Sequence, residues 1–155
     1  MSARPSEDLM LQTKRAYEPP ARSDGQRILI DRLWPRGLTK GEARVDSWRK
    51  DLAPSEELRK WFGHRPERFS RFRERYRMEL LRHRDALAEL ALAAEGGPVT
   101  LIYAARDKER CNAAVLHELL EEVARAGGTV ERAGPTRARR SRRRPGTVRP
   151  RDARR

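Results

Sequence analysis

Hydrophobic positions along the chain fall into two patterns. Ile28-Leu29-Ile30 and Val99-Thr100-Leu101-Ile102-Tyr103 are short, nearly continuous apolar runs bounded by turn-forming residues. Such runs predict strands buried on both faces. The first strand spans Gln26–Arg32. It must end near Trp34, because Pro35 has no ladder donor and Gly37 favours a turn. The second spans Val99–Ala104. Met10–Ala16 reads as a shorter strand, and Thr129–Glu131 as a last one.

The second pattern is helical. Phe69, Phe72, Tyr76 and Leu80 make one stripe of an amphipathic helix. Leu116, Leu119, Leu120 and Val123 make another, in a helix over about Glu109–Ala126 that Asp107 caps. Leu87–Leu92 lies in an Ala-rich helix closed by Gly96-Gly97-Pro98. Ser55, with Glu56 and Glu57 behind it, starts a helix that runs to Phe62 and stops at Gly63. Pro66 suits the first position of the next helix, and Thr39 caps a short one over Thr39–Val45. Val45–Lys50 reads as a link. Strands separated by helices need crossover connections. The chain is therefore expected to be a single small α/β domain over residues 9–131. Its sheet is three- to four-stranded, mainly parallel and flanked by helices. Residues 1–8 are expected to be a flexible start.

Composition changes this picture at one end. Apolar residues make up 37% of the 155, which is low for a globular chain, and the net charge is +13. Segment 132–155 holds eleven arginines against one acid, Asp152, so the charge belongs to the end of the chain and not to the domain. A segment of that composition cannot build a core and is expected to be a disordered tail. It would meet polyanions through counterion release, with Arg139, Arg140, Arg142, Arg143 and Arg144 as contacts for nucleic acid. Coding drift toward arginine is the other explanation. No run of 18 apolar residues is present and Met1–Asp8 is not a secretory signal, so no membrane partner is expected. With Cys111 as the sole cysteine, a cytoplasmic location is expected.

In a parallel sheet, ligands collect beyond the carboxyl ends of the strands. Two segments lie there. The first is Asp31-Arg32-Leu33-Trp34-Pro35-Arg36-Gly37. Strand alternation sends Asp31 and Leu33 to one face, Arg32 and Trp34 to the other. Arg36 offers a planar fork for phosphate or carboxylate, and Gly37 lets backbone approach a ligand. Asp31 is the candidate acid/base or orienting group. The alternative is an Asp–Arg pair that pins the loop over a buried Trp34. The second segment is Arg106-Asp107 with Asn112. It is either the other wall of an anion site, or a helix cap with Arg106 paired to an acid such as Asp31. Lys14 and Tyr17 are candidates for the rim. His64 and Cys111 are the groups nearest neutrality in titration, and a thiol at a helix start is expected to have a lowered pKa. Trp48, Trp61, Phe62, Phe69, Phe72 and Tyr76 read most simply as core, with a ring-stacking wall as the other reading. On the helix after Pro66, Glu67–Arg71 and Arg75–Glu79 can pair at i, i+4. Three scattered histidines and one cysteine show no metal-ligand spacing, and no cofactor is indicated.

Several stretches together resemble a known family. They are Lys14-Arg15-Ala16-Tyr17, Asp24-Gly25, Ile28–Asp31 and Asp31–Gly37; then Trp48, Lys50–Ser55, Leu58–His64, Phe72, Arg75-Tyr76 and Glu79-Leu80; then Leu101–Asp107 and Asn112–Leu116. In this order they are similar to the domain-of-unknown-function 488 family, in its YeaO-like branch, over about residues 10–125. The resemblance implies a compact α/β fold and brings no settled activity. Relatives usually carry a histidine where Cys111 stands here, and the arginine tail is outside the family pattern. Two functional expectations follow. One is a protein that binds or processes a small anionic ligand, a nucleotide or phosphorylated metabolite, at the strand ends. The other is a non-specific nucleic-acid-associated protein acting through its tail.

Overall fold

The computed structural model describes residues 9–126. Four strands form one sheet: β1 (Leu11–Arg15), β2 (Gln26–Leu29), β3 (Ser47–Trp48) and β4 (Val99–Tyr103). Their order is β1-β4-β2-β3, and every neighbouring pair is parallel. The third strand lies inside the stretch expected to be a mere link. Its two residues are exposed and carry no apolar run, so side-chain pattern gave no sign of it. Strand β2 stops at Leu29, short of the expected Arg32, because Ile30 makes its last backbone bond to Ile102 and the chain then leaves the sheet.

Among the described residues, five α-helices are interleaved with the strands: α1 (Lys40–Ala43), α2 (Glu56–Phe62), α3 (Phe69–Leu80), α4 (Arg84–Gly96) and α5 (Asn112–Arg125). Thr39 and Ser55 cap α1 and α2 as their chemistry demands, accepting from the N–H groups of Glu42 and Leu58. Pro66 opens a single 3-10 turn before α3. Helix α5 starts at Asn112, later than expected, because Asp107 instead closes the preceding turn on the N–H groups of Glu109 and Arg110.

Strand alternation sorts the core. Ile28, Ile30, Val99, Leu101 and Tyr103 face one side and pack with the buried stripes of α2–α5. Leu29 and Ile102 face the other, with Ala16 under Trp34, Leu38 and Val45. All five residues of β4 are buried, as expected for a central parallel strand. Trp48, expected as core, is 37% exposed, since it sits on edge strand β3. Arg73 and Arg77 pair across to Glu118 and Glu122 on α5. Glu79 is held by Ser55, which corrects the expected Arg75–Glu79 pair. Among the described residues, no helix is long and apolar enough to cross a membrane. The expected strand at Thr129–Glu131 and the arginine tail with Arg139, Arg140, Arg142, Arg143 and Arg144 lie outside the described residues.

Candidate functional site

Beyond the carboxyl ends of β1, β4 and β2 lies a cleft of about 750 Å³. It opens where the sheet's connections diverge: β4 leads into α5, which packs over β1 and β4, while β2 leads toward β3 on the opposite side. That divergence leaves a crevice between the two exit loops. The loop after β2 contributes Asp31–Arg36, and the loop after β4 contributes Ala104–Asp107 and Arg110–Asn112. Tyr17, Pro54, Arg59, Phe62, His64 and Phe72 complete the lining.

Asp31 is half-buried and fixed from two directions. Its Oδ1 accepts from Asn112 Nδ2 and its Oδ2 from the Ala104 N–H, both at 2.9 Å. Its carbonyl oxygen accepts from Trp48 Nε1 at 2.7 Å. Asn112 gives its amide to the Ile30 carbonyl as well, at 2.9 Å. Among the described residues, no lysine or arginine forms an ion pair with Asp31, so Arg106 does not neutralise it. Burial raises the Asp31 pKa; the bonds from Asn112 and Ala104, and the Arg59 guanidinium, pull against the rise.

Five arginines line the cleft against two carboxylates, Asp31 and Asp107. Arg32 donates to the Pro54 carbonyl at 3.0 Å. Arg110 pairs with Asp107 at 3.2 Å. Arg59 approaches Glu56 at 3.5 Å, while its Nε is buried without a partner. Arg36 and Arg106 are exposed at the rim and have no such partner among the described residues.

The end of β1 holds both loops in place. Arg15 donates to the carbonyls of Ala105 at 2.7 Å and Ala104 at 3.1 Å. The Tyr17 ring lies 5.0 Å from the Arg15 guanidinium, and its hydroxyl donates to the Arg36 carbonyl at 2.9 Å. Trp34 closes the β2 loop by donating to the Leu38 carbonyl at 2.7 Å and meets Trp48 edge-on at 5.4 Å.

Asp31, Arg32, Trp34, Arg36, Arg106, Asp107, Asn112 and Tyr17 thus share one cleft. Lys14 and Gly37 do not line it. Lys14 instead binds Asp24, 2.9 Å away, on the neighbouring flank of the sheet. Gly37 has a left-handed φ of +83° and shapes the turn. Arg59 and Pro54 were not expected in the cleft, while Phe62 and Phe72 both belong to the core and line it. Arg59 sits one turn before Phe62 on α2, in a segment that reads as an ordinary amphipathic helix. His64 follows Gly63 in left-handed geometry, φ +58°, unusual for a side chain of that size, and its exposed ring reaches the cleft.

Cys111 also lines the cleft, but it is not the lowered thiol that its place at a helix start suggests. Burial pushes its pKa up, and Asp31 and Asp107 add to the rise against the N–H groups of Ala114 and Ala113. Among the described residues, no group of three His, Cys, Asp or Glu side chains is placed to hold a metal.

The family model described as the inactive DUF488-N3 subclade matches residues 10–136. The chain belongs to this DUF488 family. It is 49% identical over 106 residues to the uncharacterized protein Rv3073c of Mycobacterium tuberculosis, covering 68% of this chain and 89% of that one. It is 42% identical over 113 residues to the uncharacterized protein YeaO of Escherichia coli, covering 73% of this chain and 98% of that one. This DUF488 chain is accordingly YeaO-like over nearly all of its described domain. No solved structure matches it.

Proposed function

We propose that the cleft binds a small anionic molecule, a nucleotide or a phosphorylated metabolite. The excess of arginines over carboxylates in the lining carries this reading: five against two, drawn from both exit loops and α2. A guanidinium supplies paired donors that match a phosphate or carboxylate edge. Arg36 and Arg106 keep that capacity uncommitted at the rim. The location supports the reading, since a parallel sheet gathers ligands at a divergence of this kind. The volume lies within the range of ordinary small-molecule sites.

Binding accounts for the site better than turnover does. Asp31, the candidate acid/base, has each oxygen tied to a protein donor. The Cys111 thiol is buried, which raises its pKa and works against its reaction as a nucleophile. The description of the matching family as an inactive subclade supports the same choice.

The test uses inorganic phosphate, ribose 5-phosphate and nucleoside monophosphates as probes in thermal denaturation. A probe that binds only the native state at about 100 times its Kd adds about 2.7 kcal/mol of stability. The wild type is expected to be stabilised by at least one phosphorylated probe. Arg36→Ala and Arg106→Ala are expected to melt like the wild type without probe and to lose most of the shift with it. Variants that instead fail to fold would make these arginines structural, and the reading would be lost.

A further inference from the structure

We infer that the ligand is a nucleoside monophosphate whose base bears an amino group, read by Asp31. This rests on the anion-binding reading and adds a second end to the ligand. The cleft is not uniformly basic. Leu33 is exposed and Trp34 half-buried, and their apolar surfaces line the cleft beside the buried Pro35, Pro54, Phe62 and Phe72. A bare phosphate would leave those surfaces wet. A flat ring joined to a phosphate covers them.

The donor requirement comes from Asp31. An ionised carboxylate has about four acceptor positions. Asn112 and the Ala104 N–H each occupy one at 2.9 Å. Those two bonds fix the plane of the carboxylate, so it cannot swing out to meet a rim arginine. Asn112 commits amide donors to Ile30 and Asp31, which leaves its own oxygen as an acceptor. The floor therefore presents acceptor positions and asks for N–H groups from the ligand. The amino edge of adenine, cytosine or guanine supplies them, as that of cytosine does to acidic side chains in the DNA major groove. Uracil has no amino group, and its one free ring N–H sits between two carbonyls that would face the carboxylate.

A half-buried carboxylate that no cation contacts is a standing cost to folding. A ligand donor bonded to it offsets that cost, and a site built this way rejects analogues that lack the donor. Arg59 also lines the cleft, and its buried Nε has no hydrogen-bond partner among the described residues, so a further donor is available beside Asp31.

The test is calorimetry on the full chain with AMP, CMP, GMP, UMP, ribose 5-phosphate and inorganic phosphate. At least one amino-bearing nucleotide is expected to bind about tenfold or more tightly than UMP and ribose 5-phosphate, the scale of one bond to a charged acceptor. Asp31→Asn is expected to shrink that ratio severalfold, because an amide can donate to UMP. UMP or ribose 5-phosphate binding as tightly as the best nucleotide overturns the inference, and so does a ratio that survives Asp31→Asn. The wild-type ratio stands alone if the variant does not fold. If no probe binds at all, the anion-binding reading itself fails; if all bind alike through Arg36 and Arg106, only the base reading fails.

Discussion

Replacing Asp24 by Asn should destabilise the protein by about 3 kcal/mol. Asp24 is 1% exposed and Arg27 3%. Asp24 Oδ2 accepts from Arg27 Nη1 at 2.6 Å and from the Ala21 N–H at 2.9 Å, while Oδ1 accepts from Lys14 at 2.9 Å. The substitution keeps the shape and removes the charge, leaving Arg27 as a buried cation. Breaking such a pair from one side costs about 3–5 kcal/mol. The lower end applies here. Arg27 keeps the carbonyls of Ala43 and Arg44, and Lys14, partly exposed, can turn toward water. For a chain of this length the loss corresponds to a fall in Tm of about 6–12 °C. Burial acts to raise the Asp24 pKa, but the bonds from Lys14, Ala21 and Arg27 outweigh it and hold the carboxyl below its usual value. With a folded pKa below the unfolded one, the contribution is complete above pH about 4 and fades as pH falls through the folded value. Urea unfolding of wild type and variant across pH reads both effects, and the two stability curves should converge at low pH. A loss below about 1 kcal/mol at neutral pH, or a gap that does not close in acid, would show that the pair acts no differently from a surface one.

Two further outcomes follow from the geometry. Gly25→Ala should cost about 3 kcal/mol or more in urea unfolding. Its φ is +63°, and an added Cβ would stand 2.1 Å from the Pro98 carbonyl oxygen, so β2 and β4 would have to separate; a cost under about 1 kcal/mol would refute that contact. Cys111 in the native protein should react with a thiol reagent far more slowly at neutral pH than free cysteine does, and as fast once unfolded in urea. Rapid labelling of the native form would contradict its raised pKa and burial.

The central elements were legible because each announces itself locally. The runs in β2 and β4 are too apolar to be anything but buried. The stripe in α3 and the caps at Thr39 and Ser55 follow from short-range chemistry. That the β2 and β4 exit loops would face one cleft was legible for the same reason, since strand ends fix where they go. What sequence could not show was set by partners far along the chain. Strand β3 exists because the Asp46 and Arg49 N–H groups donate to the Arg27 and Leu29 carbonyls of β2 and the Asp46 carboxylate accepts from the Arg27 N–H, not because of its own residues. Lys14 alternates correctly for a rim position, yet a carboxylate ten residues away captures it. Cys111 has the helix start that should lower a thiol, and the surrounding core overrides it. Arg59 looked like solvent-facing helix until the fold brought β2 and β4 to its side.

The position of β4 has a consequence for how the chain comes together. Strands β1 and β2 do not touch as partners; each is zipped to β4, so Leu11 waits for Val99 and Ile28 for Leu101. A chain emerging from a ribosome shows its first two strands long before the strand that joins them. Until then, both strands have open edges, the condition that favours pairing with the wrong neighbour. Such distant pairings also slow folding, because loop closure must precede any reward from contact. This small protein is therefore expected to gain its sheet in one late, cooperative event.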